Sequence, residues 1–126
     1  MNYLPKVLLI DDEVDYLHLL TALLRKRGFD VYSSSSGEDA ITITRNFKPD
    51  VIVLDVRLGN EDGRKICWEI KTEPDIKDVT IILHSAFADI ENGYKTYYAD
   101  EFILKPTEID YLVSRINAHL KQKNGD

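Results

Sequence analysis

Short apolar runs, each closed by a chemically reactive side chain, recur along this chain and constrain its architecture more than any other feature. Val7-Leu8-Leu9-Ile10 ends at Asp11 and Asp12, Val51-Ile52-Val53-Leu54 at Asp55, Ile81-Ile82-Leu83-His84 at Ser85, and Phe102-Ile103-Leu104 at Lys105. Runs of this length without polar alternation fit strands covered on both faces, as in parallel sheets flanked by helices. If they lie parallel in one sheet, every closing residue emerges at its carboxyl edge, where open α/β sheets hold their ligands. Three carboxylates beside a lysine and a hydroxyl suit a divalent cation and a phosphoryl group.

The segments between the runs read as helices. Val14, Leu17, Leu20 and Leu24 recur at helical spacing, and Gly28 is placed to end that helix. Val31-Tyr32 is a short strand. Ser36 stands as an N-cap before a helix with Ala40, Ile43 and Phe47 on one face, broken by Pro49. A loop with Gly59 and Gly63 leads into a helix that faces Ile66, Cys67 and Ile70 inward, and Pro74 breaks it. Val79 to Leu83 forms the fourth strand. Residues 88–98 make a helix interrupted by Gly93, and the last helix has Thr107 as N-cap with a stripe of Ile109, Leu112, Val113, Ile116 and Leu120. Five strands alternating with five helices imply a three-layer sandwich with right-handed crossovers.

Composition narrows the function. With 126 residues and 44% hydrophobic content the chain can bury one core, and a single domain over 1–126 is expected. A net charge of -6 without clustered Lys and Arg argues against a nucleic-acid surface. The apolar runs are too short for a membrane span or signal peptide, so a cytoplasmic protein is expected. The single cysteine, Cys67, reads as a packed thiol.

Together, Ile10-Asp11-Asp12-Glu13, Leu54-Asp55, Ser85-Ala86 and Leu104-Lys105-Pro106 resemble the CheY-like receiver domain of two-component response regulators. The likeness spans nearly the whole chain. It implies the flavodoxin-like (βα)5 fold with strand order 2-1-3-4-5. It also implies a signalling switch, not an enzyme acting on other molecules, that promotes only its own phosphorylation and dephosphorylation. By resemblance, Asp55 takes a phosphoryl group from a phosphohistidine of a histidine kinase or phosphotransfer protein. Mg²⁺ would be held by Asp12, Asp55 and the backbone carbonyl of Arg57, with Asp11 acting mainly through water. Lys105 and Ser85 would stabilise the phosphoryl oxygens, and Phe102 would turn into the space that Ser85 leaves. A cis Lys105-Pro106 bond would direct the Lys105 amine into the acid pocket. Arg57 and Phe87, two residues past Asp55 and Ser85, would border the phosphoryl group and govern its lifetime. Output to an effector domain or protein would leave through the fourth helix, fifth strand and fifth helix, near Tyr94, Tyr97 and Tyr98.

Plainer readings stand beside these. Asp11 can serve as a helix cap, Asp55 as a loop carboxylate and Lys105 as a surface lysine. His18 and His119 read as solvated, Trp68 as helix-to-core packing, and the Ser33 to Ser36 run as a turn. His84 is a polar ring at a strand end that needs a partner if buried. Leu58-Gly59 stands where many receivers carry an apolar residue and a proline, which gives the loop more backbone freedom. Only twenty positions separate Ser85 from Lys105, so the fourth helix should be short or irregular. Rival functions are a non-phosphorylated pseudo-receiver that serves only as an interaction module, a haloacid-dehalogenase-like Mg²⁺-dependent aspartyl phosphatase, and a flavin carrier. Arg57 stands where the phosphatase would need a second acid, and Asp11-Asp12 would repel a flavin phosphate.

Overall fold

A computed structural model describes residues 3–87, 93 and 97–124 of the protein. Its strands are β1 (Lys6–Ile10), β2 (Asp30–Ser34), β3 (Val51–Leu54), the short β4 (Arg57–Leu58) and β5 (Glu61–Asp62), β6 (Thr80–Ser85) and β7 (Glu101–Leu104). The helices are α1 (Val14–Lys26), α2 (Ala40–Phe47), α3 (Gly63–Lys71) and α4 (Ile109–Lys123). Five strands form one sheet in the order β2-β1-β3-β6-β7, and every pair in it is parallel. This is the expected flavodoxin-like order, with the β4–β5 hairpin set outside the sheet. The helix expected over 88–98 lies largely outside the described residues. None of the helices described is long and apolar enough to cross a membrane.

The side-chain alternation of the strands builds two cores. Leu8, Ile10, Ile52, Leu54, Ile81 and Leu83 point to one face and pack with Ala40 of α2 and Ile66, Cys67 and Ile70 of α3. Val7, Leu9, Val51, Val53 and Ile82 point to the other and pack with Leu17, Leu20 and Leu24 of α1 and Leu112 and Ile116 of α4. Because both faces are covered, the central strands have no polar position to spare, which explains their continuous apolar runs.

Local chemistry sets the boundaries. Gly28, at φ 94, lets the Phe29 and Gly28 amides bond back to Leu24 and Arg25, a Schellman closure of α1. The Asp62 carboxylate caps α3 by accepting the Arg64 amide at 2.9 Å. Two expected caps are corrected. The residue before α2 is Asp39, and Ser36 instead accepts the Glu38 amide in the turn ahead of it. The residue before α4 is Glu108, because the Thr107 hydroxyl donates back to the Leu104 carbonyl at 2.6 Å. Ser33 and Ser34 belong to β2, so only the end of the serine run turns.

Candidate functional site

The sheet ladder carries the reactive residues to one edge. Past the last residue of its strand, the Asp11 amide bonds to the Ser34 carbonyl, the Asp55 amide to Ile10 and the Lys105 amide to Ser85. The main chain is therefore still held in register where these side chains emerge. The Lys105-Pro106 bond is cis, as expected. The Lys105 ammonium lies 2.6 Å from Asp11 Oδ2, 3.3 Å from Asp55 Oδ2 and 3.6 Å from Glu13 Oε1. Asp11, Asp55 and Lys105 are almost fully buried, whereas Asp12 is exposed.

Asp11, Asp12 and Asp55 each offer a carboxylate oxygen, and these oxygens lie within 4.8 Å of one another. Asp11 also accepts the Glu13 amide at 2.9 Å, so the capping reading and the cluster reading both hold for it. Asp12 accepts the Gly59 amide at 3.1 Å. Gly59, at φ 62, opens the two-residue link between β4 and β5, a place that favours glycine in tight hairpins. The expected looseness at Leu58-Gly59 is thus a closed hairpin. Its amide, which a proline would lack, fixes Asp12.

Burial, followed by the neighbouring Asp11 charge, pushes the Asp55 carboxyl up to about 6 despite the opposing Lys105 ammonium. Burial works against the Lys105 charge, yet Asp11 and Asp55 outweigh it and hold that amine above its ordinary 10.5. The cluster is consequently an excess of negative charge that one lysine only partly offsets.

Ser85 is fully buried at the end of β6, and its Oγ accepts the Phe87 amide at 3.1 Å. Among the described residues no hydrogen bond joins that hydroxyl to the carboxylates. Phe102 is half-buried against the core shared by α2 and α3, on the same face as Leu83, its register partner. The Arg57 guanidinium stacks on the Phe87 ring at 3.8 Å, so the two positions singled out beside Asp55 and Ser85 touch each other. Tyr94 lies outside the described residues. Tyr97 packs near Arg64, and its carbonyl accepts the Cys67 thiol, while Tyr98 is exposed.

Three expectations about bystanders are settled. Cys67 is buried, and burial pushes its thiol up to about 12, consistent with a packed, inert group. Trp68 is 46% exposed, so it does not pack into the core. His119 is not solvated: its side chain is largely buried and shares Glu101 with Arg115.

Gly63 and Tyr16 were not legible as parts of the site. A Cβ on Gly63 would sit 2.0 Å from the Asp55 carbonyl oxygen, so only glycine lets α3 approach this closely. Tyr16 lies beneath Lys105, with the ammonium 4.9 Å from its ring centroid. The Gly63 spacing after Asp55 was a usable signal, whereas Tyr16 looked like one more residue of an amphipathic helix.

Comparison with known proteins agrees with this geometry. The signal receiver domain of a Vibrio parahaemolyticus protein assigned as a Luxo repressor superposes with a TM-score of 0.84 at 27% identity, over 95% of this chain and 92% of that one. A Chloroflexus aurantiacus protein assigned as a response regulator gives 0.88 at 26% identity, covering 94% and 99%. The BeF3-activated N-terminal receiver domain of Klebsiella pneumoniae RstA gives 0.84 at 26%, covering 91% and 97%. The sequence profile of the response regulator receiver domain matches residues 7–117. The chain belongs to the response regulator receiver domain family of two-component signalling.

Proposed function

We propose that residues 1–126 form one receiver unit that accepts a phosphoryl group on Asp55 from a phosphohistidine, in a Mg²⁺-dependent reaction, and then presents a changed surface to a partner. The meeting of three acid side chains with Lys105 at the carboxyl edge of the sheet carries this reading. The donor set fits the ion, since carboxylate oxygens drawn this close repel one another and suit a hard divalent cation. Asp12, Asp55 and the Arg57 carbonyl would hold it, with Asp11 acting through water. When bound, Mg²⁺ neutralises the carboxylates and the equatorial phosphoryl oxygens.

The residues of the chain supply the rest. An Asp55 carboxylate oxygen attacks phosphorus in line with the donor imidazole. The P–O bond of an acyl phosphate forms as the P–N bond breaks, and its electron pair stays on the imidazole nitrogen. Lys105, already between Asp11 and Asp55, meets the charge that gathers on the phosphoryl oxygens. Ser85 would release the Phe87 amide and donate to another of those oxygens, which opens space toward Phe102. That exchange biases two arrangements of the β6–β7 edge. The stacked Arg57 and Phe87 would border the phosphoryl group as a cover that slows water, lengthening the phosphate's life.

The donor would be a histidine kinase or histidine phosphotransfer protein in the cytoplasm, and the receiver of the signal an effector domain or protein. Exposed Leu104 and Tyr111, on β7 and α4, and the nearby Tyr98 support output through that side. Intact-mass measurement after incubation with acetyl phosphate and Mg²⁺ tests the reading. One added phosphoryl group, absent with excess EDTA and in Asp55→Asn, is expected, and its persistence in either control refutes it.

A further inference from the structure

Two buried polar atoms beside the site are not used by phosphoryl transfer. Tyr16 Oη and His84 Nε2 are both sealed from solvent and have no hydrogen-bond partner among the described residues. Buried hydroxyls and imidazoles are ordinarily partnered, so two orphans side by side call for an account. The two rings are neighbours, with centroids 5.9 Å apart and planes tilted by 48°. In this structure the two atoms do not bond each other, so a side-chain rotation must carry the hydroxyl, which projects beyond its ring, to the imidazole edge.

Their protonation states are complementary. Burial, then the Lys105 charge, pushes His84 down to about 4, so at neutral pH one ring nitrogen is bare and can accept. Burial raises the Tyr16 hydroxyl above its ordinary 10.0, which keeps its proton available to donate. Tyr16 also feels the charges of Asp11, Glu13 and Asp55, and the Lys105 ammonium sits over its ring at 4.9 Å.

We propose that Tyr16 and His84 are a positioning pair for Lys105, in which the Tyr16 hydroxyl donates to His84 Nε2 and so fixes the Tyr16 ring as a floor under the ammonium. Such a floor attracts the ammonium without competing for it as an anion would, leaving its N–H groups directed at the acids and the incoming phosphoryl oxygens. The hydrogen bond holds the ring in place, because α1 otherwise presents Tyr16 as an ordinary half-buried side chain. The pair also links the site to the core under α1 and α4. His84 precedes Ser85 on β6, and consecutive strand residues face opposite sides of the sheet.

The role in phosphoryl transfer rests on the function proposed above, so the test separates the two. Thermal unfolding of the full chain is followed for Tyr16→Phe, His84→Leu and both together. A coupling worth about fivefold in the folding equilibrium is expected, since removing one partner strands the other and removing both does not. A second cycle, Tyr16→Leu against Lys105→Met, should also be coupled. Both cycles hold or fail whether or not the protein is phosphorylated. Absence of phosphorylation in the wild type with intact coupling would refute the acceptor reading alone. In the rate of phosphorylation by acetyl phosphate, Tyr16→Leu should be slower by about tenfold, Tyr16→Phe should stay closer to wild type, and Tyr16→Leu should add nothing in the Lys105→Met background. Additive stabilities in either cycle, or a Tyr16→Leu effect that persists without Lys105, overturn the proposal.

Discussion

Replacing Asp55 with asparagine should make this protein more stable at neutral pH, although it removes the proposed acceptor. The native carboxyl sits at about 6 against an ordinary 3.8, mainly because it is buried and secondly because Asp11 faces it. Keeping it ionised in the folded state therefore costs about 3 kcal/mol at pH 7. The sign follows from proton counts: between pH 4 and 6 the native state binds the proton that the unfolded chain has released, so stability falls as pH rises through that window. Asparagine escapes the penalty, and the lost Lys105 attraction is already contained in the native value of about 6, so a net gain of about 3 kcal/mol remains. For a domain of this size that raises Tm by roughly 12 °C. Calorimetric scans of both proteins in EDTA at pH 7 and at pH 4 provide the assay. The difference should be present at pH 7 and shrink toward zero at pH 4, where both side chains are neutral. Added Mg²⁺ at pH 7 should narrow the gap from the wild-type side, because it compensates the ionised cluster. A less stable Asp55→Asn protein at pH 7, or a gap independent of pH, would refute the reasoning.

Other expectations follow from single contacts. Gly63→Ala forces a Cβ against the Asp55 backbone and strains the 2.7 Å bond from the Gly63 amide to the Val56 carbonyl; a loss of about 3 kcal/mol in denaturant unfolding is expected, together with slower phosphorylation. Asp12→Ala should weaken Mg²⁺ binding by at least about tenfold in a titration followed by calorimetry, since a direct oxygen ligand is lost. Phe87→Ala removes the ring under Arg57 and should shorten the phosphate lifetime by about threefold in a chase followed by intact mass. Equal lifetimes would show that the stack does not cover the acyl phosphate.

The strands were legible because a parallel sheet buried on both faces leaves no ambiguity of period: Val51 to Leu54 are apolar without a break and almost wholly inaccessible. The acids and Lys105 were legible because each closes such a strand, and the continuing ladder holds it there. Caps were less so. Thr107 and Ser36 are good capping residues by type, yet their hydroxyls found nearer partners in the turns that precede the helices. His119 looked solvated on a polar helix face until the packing of α4 brought Glu101 of the preceding strand beside it. Tyr16 and His84 carry no local pattern that joins them, since their contact exists only once α1 packs on β6. Leu58-Gly59 misled in the same way, because the freedom of glycine is spent on a hairpin whose amide binds Asp12.

The central claim is that the phosphoryl group resides on Asp55. Protein incubated with acetyl phosphate and Mg²⁺ can be reduced with borohydride, which converts an aspartyl acyl phosphate to homoserine, and then mapped by peptide mass spectrometry. Homoserine at position 55, with Asp11, Asp12 and Asp62 unchanged, is the predicted result. Homoserine at another aspartate, a phosphoryl group on Ser85, or no reduction at position 55 in protein that has gained the phosphoryl mass would contradict it.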